Sequence, residues 1–143
     1  MHCVFCAIVA GDVAAPVVWE DSRTLAFLDR RPLFPGHTLL IPKRHLETLP
    51  DLEPELVAPL FEKAQWLARA MELALGAEGS FVAVNNRISQ SVPHLHVHVV
   101  PRRKKDGLKG FFWPRQKYVD AEEEARYRNL LRDALVAIAE RAR

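Results

Sequence analysis

His94-Leu95-His96-Val97-His98-Val99-Val100 is the stretch that decides how this chain is read. Three histidines alternate with apolar residues. Side chains on a β-strand alternate faces, so a strand here puts all three imidazoles on one face and Leu95, Val97 and Val99 on the other. Successive imidazoles are then about 6.5–7 Å apart, twice the strand rise per residue. Packing alone rarely calls for three neighbouring imidazoles on one strand face. The arrangement suits chemistry on an anion, or a metal.

Working outward, Phe81-Val82-Ala83-Val84 reads as the strand before this one. Upstream of it, Leu56, Leu60, Ala64, Leu67, Met71 and Leu75 recur at three- and four-residue spacing, which predicts a long helix from about Pro54 to Leu75. Pro54 suits a first turn, Pro59 is expected to kink the helix or mark its start, and Gly76 and Gly79 end it. Val17-Val18-Trp19 and Thr24–Leu28 read as a hairpin, and His37–Ile41 as the next strand, closed by Pro42. Residues 30–36, with two prolines and a glycine, form a loop. Residues 4–9 suggest a short helical turn. Asp120 with Glu123 starts a last helix, over about 120–142, striped by Leu130, Leu131, Leu135 and Ile138. A strand meander, a long helix, two strands and a final helix predict an α+β chain with a mostly antiparallel sheet.

The chain has 143 residues, 49% of them hydrophobic and 27% charged, with a formal net charge of +2. That fits one soluble domain over 1–143 with a real core, and the charge is too low to favour nucleic acid strongly. No apolar run approaches the roughly 20 residues that span a bilayer, and the N-terminus lacks signal-peptide character, so a cytoplasmic location is expected. The two cysteines, Cys3 and Cys6, then read as metal ligands or a redox pair rather than a structural disulfide. Residues 102–117 hold seven Lys or Arg against one acid, Asp106, with Phe111, Phe112 and Trp113 among them. Such a stretch is either a solvated loop or a contact for a polyphosphate tail or second base.

Over about residues 3–103 the chain resembles the histidine triad (HIT) nucleotide-binding family. The resemblance rests on His94 to Val100 with Pro101-Arg102, and on Cys3-Val4-Phe5-Cys6, Phe27-Leu28-Asp29, Gly36 through His45, and Asn85-Asn86, in family order. It implies a five-stranded antiparallel sheet with a long central helix and a C-terminal helix, paired as a homodimer through the long helix. It also implies attack on the α-phosphate of a nucleotide, with a nucleotidyl-histidine intermediate that water cleaves. By family position His96 is the nucleophile. His98 binds phosphate oxygens or helps protonate the leaving group, and His37 supports the triad. Asp29 accepts from ribose hydroxyls, Phe5, Ile8 and Phe27 wall the base, and Asn85, Gln90 and Ser91 lie near the phosphate. The segment from Asn85 to Gln90 is shorter than in many relatives and lacks their glycine. In some bacterial relatives the cysteine pair is completed by the counterparts of His45 and His94, implying a structural Zn2+ site of four ligands.

The substrate class expected is a nucleoside phosphoramidate or a dinucleoside polyphosphate, adenosine-based. Two alternatives from other classes stand beside this. One is a nucleotide-binding module with little catalysis. The other is a metal-dependent phosphoesterase with His94, His96 and His98 as ligands of one ion.

Overall fold

The structure, a computed structural model, describes residues 3–109 and 115–142. The chain divides into two compact units, residues 1–107 and 108–143. The first holds a five-stranded antiparallel sheet. Its strands are β1 (Val17–Glu20), β2 (Thr24–Leu28), β3 (Thr38–Pro42), β4 (Gly79–Ala83) and β5 (Val97–Arg102), in spatial order β1-β2-β3-β5-β4. Helix α1 (Val4–Ala10) precedes the sheet, and α2 (Pro54–Leu75) links β3 to β4. The second unit holds α3 (Ala121–Arg141). Of the basic stretch 102–117, residues 110–114, with Phe111, Phe112 and Trp113, lie outside the described residues.

Local chemistry sets these elements. The Sγ of Cys3 caps α1, accepting the Cys6 amide at 3.4 Å, and Gly11 ends the helix with φ +83°. Both thiols therefore sit at the start of one helix. The β1–β2 turn closes on Asp21, whose carboxylate accepts the amides of Arg23 and Thr24 at 2.8 and 2.7 Å. Helix α2 starts on Pro54, runs through Pro59, and stops at Gly76 with φ +63°. Pro59 neither starts nor ends it. This early in the helix it removes one backbone bond near the end, and the 22-residue length absorbs that loss.

The sheet is buried on both faces. On one, Leu60, Ala64 and Met71 of α2 pack on Ala26, Leu40, Leu95, Val97 and Val99. On the other, Phe5 of α1 packs on Leu25, Phe27, Leu39 and Ile41. Leu95, Val97 and Val99 share the α2 side, as their alternation requires. Burying each contributes about 1.5–3 kcal/mol. The regular strand starts later than the alternation suggests, at Val97 rather than His94. Pro93 precedes the run, and the Leu95 amide goes to the Leu46 carbonyl at 2.8 Å instead of to the sheet ladder. Leu95, Val97 and Val99 still go to the α2 side, so the imidazoles between them point away from α2.

Gly36 positions the histidine that follows it. Its φ is +100°, and a Cβ there would meet the Leu75 Cδ1 at 2.7 Å. That methyl can swing aside, so the left-handed backbone is the larger obstacle. We expect Gly36→Ala to lower stability by about 1–3 kcal/mol in urea unfolding, with no recovery when Leu75 is also cut to Ala.

Candidate functional site

The three histidines end in different surroundings. His94 is fully buried, His96 is 3% exposed, and His98 is half-buried on β5. The rings of His96 and His98 lie 5.0 Å apart, closer than the strand rise alone suggests, because the side chains lean together. His37 sits just before β3. Leu39, two residues on, pairs with His98, so the period of two brings His37 diagonally beside His98 on the same face.

The hydrogen bonds of these rings fix their protons. The Nδ1 of His96 lies 2.7 Å from the His94 carbonyl oxygen, which can only accept. Nδ1 therefore carries the hydrogen, and Nε2 keeps a lone pair. The Leu33 amide donates to Nδ1 of His37 at 3.0 Å, leaving Nε2 of His37 to carry its proton. That Nε2 lies 3.0 Å from Nδ1 of His98 and donates to it. His98 is thus left with its N–H at Nε2. A lone pair on His96 and a donor on His98 stand side by side.

Burial, reinforced by the neighbouring His96 and His37 and only partly opposed by Asp29, pushes His98 down to about 4. Burial also lowers His37, again against Asp29, whose Oδ2 lies 3.7 Å from Nε2 of His37. Both rings are neutral near pH 7. The other oxygen of Asp29 accepts the Arg31 amide at 2.9 Å.

Phe5 bridges this cluster to a cleft. Its ring meets His96 edge-on at 5.2 Å and Phe27 at 5.4 Å. The cleft, about 170 Å³, is walled by Phe5, Ile8 and Phe27 with Asp29 at its rim. Val13, Leu39 and Arg30 also line it. Nothing in an isolated Val, Leu or Arg signals a pocket wall from sequence. Asn85 and Ser91 are exposed, two residues past β4 and three before His94. Gln90 is committed to its own loop: Oε1 accepts the Arg87 amide at 2.8 Å, and Nε2 donates to the Glu47 carbonyl at 2.7 Å. The backbone here takes φ +68° at Arg87 and +61° at Ser89.

Cys3, Cys6, His45 and His94 converge with their ligand atoms within 4.8 Å of one another. His94 donates from Nε2 to the Pro42 carbonyl at 2.8 Å, so its Nδ1 lone pair faces the sulfurs. That Nδ1 lies 3.4 Å from Sγ of Cys3, 3.6 Å from Sγ of Cys6 and 3.3 Å from Nδ1 of His45; Cys6 and His45 are 3.2 Å apart. A tetrahedral zinc ion with ordinary Zn–S and Zn–N bonds separates its ligands by about 3.3–3.8 Å. The four residues fit that ion. Burial and the adjacent Cys3 sulfur raise the Cys6 thiol, as expected of two thiols that need a cation before both can ionise. Among the described residues the other such group is Asp29, His37 and His98. His94 and His98 fall in different groups and His96 in neither, so the triad does not gather on one ion.

A HIT domain family profile matches residues 10–105. The chain is 42% identical over 140 residues to an uncharacterized HIT-like protein of Mycobacterium tuberculosis, covering 94% of each. It is 37% identical over 116 residues to the adenosine 5'-monophosphoramidase hnt1 of Schizosaccharomyces pombe, covering 80% of this chain and 84% of that one. A Zn-bound histidine triad family protein from Mycobacterium smegmatis has a solved structure 43% identical to this chain, with a TM-score of 0.72 and coverage of 98% and 97%. The chain belongs to the HIT family. Its fold is the five-stranded antiparallel sheet of that family. No helix among the described residues is long and apolar enough to cross a membrane.

Side-chain NMR of the imidazoles tests the proton assignment. His98 should titrate near pH 4 with its hydrogen on Nε2. In His37→Ala that midpoint should rise, because a like-charged neighbour is gone and water enters. Stability should fall as pH drops from about 6.5 toward 4, since the unfolded chain binds the proton that folded His98 refuses. His98→Asn should flatten that slope.

Proposed function

We propose that the chain is a nucleotide hydrolase or nucleotidyltransferase that works through a covalent nucleotidyl-His96. The observation that carries this is the His94 carbonyl holding the Nδ1 hydrogen of His96, which leaves the Nε2 lone pair free on a ring 5.2 Å from Phe5, a wall of the cleft. A neutral imidazole fixed in that tautomer is a competent nucleophile.

The substrate class is a nucleoside phosphoramidate or a dinucleoside polyphosphate, adenosine-based. The name of the fission-yeast relative supports the first, and the basic stretch 102–117 the second. The base lies between Phe5, Ile8 and Phe27, and Asp29 accepts from the ribose. Nε2 of His96 forms a bond to the α-phosphorus while the bond from phosphorus to the leaving nitrogen or oxygen breaks. The leaving group takes a proton from solvent. Nε2–H of His98 donates to a phosphate oxygen and stabilises the charge that develops there. It acts as a neutral donor, because the Leu33 amide holds His37 as a donor to its other nitrogen. Asn85, Ser91 and the backbone around Gln90 border the phosphate. Water then attacks phosphorus, the N–P bond breaks, and a nucleoside monophosphate leaves.

Zinc on Cys3, Cys6, His45 and His94 supplies a structural cross-link rather than a reaction step. It ties α1, which carries Phe5 and Ile8, to the segment that carries His96. The homodimer through α2 belongs to this reading; Leu73 on that helix is 89% exposed.

Mixed with adenosine phosphoramidate or a diadenosine polyphosphate, the enzyme should release AMP, and acid-quench mass spectrometry should find AMP on the peptide containing His96. His96→Ala should lower turnover by roughly three orders of magnitude or more. Full activity in that variant would sink the mechanism. Metal analysis should find one zinc per chain in the wild type and none in Cys3→Ser, with a lower melting temperature in the variant. A zinc-free, fully stable wild type would remove the metal from the reading.

A further inference from the structure

The cleft that the proposed reaction gives to the base is mostly apolar, and apolar walls discriminate weakly between flat rings of similar size. Asp29 and Arg30 are the two polar side chains in its lining. Asp29 is an acceptor already turned to other groups: Oδ1 accepts the Arg31 amide at 2.9 Å, and Oδ2 lies 3.7 Å from Nε2 of His37. Arg30 is therefore the side chain of this lining that brings hydrogen-bond donors to the edge of a base.

The backbone holds that side chain in place. Val17 pairs with Phe27 across the β1–β2 ladder, and the Leu28 amide donates to the Pro16 carbonyl at 3.0 Å. At the next rung Nη2 of Arg30 donates to the Ala14 carbonyl at 2.5 Å, so the guanidinium stands where a further backbone bond would be. One N–H of its five is spent there. The rest of a rigid, permanently charged fork sits at the exposed rim of the cleft. His96, His98, Asn85 and Ser91 are not in that lining, so the fork belongs to the base end of the site and not to the phosphate end.

A guanidinium donates and never accepts. The base edge that suits it carries two acceptors side by side. Guanine and hypoxanthine present O6 and N7 there, whereas adenine sets its N6 amino group, a donor, beside N7. We propose that Arg30 selects the base by donating to O6 and N7 of a 6-oxopurine, so that guanosine and inosine nucleotides rank above adenosine ones. This rests on the nucleotide reading of the cleft. Adenosine compounds remain substrates, held less tightly.

Two pairs of ligands isolate the purine edge in the test. Inosine and adenosine monophosphates differ in the 6-oxo against the 6-amino group, and guanosine and 2,6-diaminopurine riboside monophosphates differ in the same way. All four are monophosphates, the form the proposed reaction releases, so binding is measured without turnover. Isothermal titration of the full chain should give the 6-oxo member of each pair about fivefold or more the affinity of its partner, the low end for such a contact because the rim is wet. Arg30→Met keeps the apolar stem and removes the donors, and it should bring both ratios to about one. Equal affinities within both pairs in the wild type would overturn the inference without any variant. An Arg30→Met protein that keeps the wild-type ratios would overturn it as well. In both cases binding itself leaves the nucleotide reading in place. A wild type that binds none of the four loses that reading and the role of Arg30 together.

Discussion

His94 is the residue on which the rest of the site depends. Its backbone carbonyl holds the hydrogen on one nitrogen of His96 and so exposes the lone pair of the other. Its own ring donates to the Pro42 carbonyl and turns its remaining lone pair toward two sulfurs and His45. One buried residue therefore sets the tautomer of His96 with its main chain and faces Cys3, Cys6 and His45 with its side chain. Remove the second role and the first loses its anchor, because the same peptide carries both.

The second constraint is electrostatic. Four imidazoles crowd one side of a sheet, where charging His37, His94 or His98 works against burial. Burial heads the causes that lower His37, His94 and His98. His37, His94 and His98 stay neutral, and a neutral imidazole is useful only if its one hydrogen is on the right nitrogen. The protein settles that with main-chain groups: the Leu33 amide for His37, the His94 carbonyl for His96 and the Pro42 carbonyl for His94. Asp29 adds a negative charge beside His37 without neutralising it by direct contact.

Much of the fold was legible because burial writes a period into the chain. The spacing of Leu60, Ala64 and Met71 announces α2, and the alternation of Leu95, Val97 and Val99 announces the face they share. The cysteine pair at one end of α1 reads as half a ligand set, and the structure gathers Cys3 and Cys6 with His45 and His94. What stayed hidden depends on main-chain geometry or on neighbours far along the chain. Pro59 passes inside α2, and the ladder of β5 starts only at Val97, because the Leu95 amide is taken by Leu46. No side chain encodes which carbonyl a ring will meet. The loop use of Gln90 was equally unreadable, since it needs Glu47 and Arg87 in place first.

The donor to His37 is a peptide N–H, and every amino acid but one brings the same N–H to position 33. Leu33 is half exposed, so its side chain is largely free to drift. An exhaustive substitution scan would score the position as permissive, with proline alone standing out. Part of this site's proton wiring is therefore silent to any method that weighs side chains, however deep the mutational coverage.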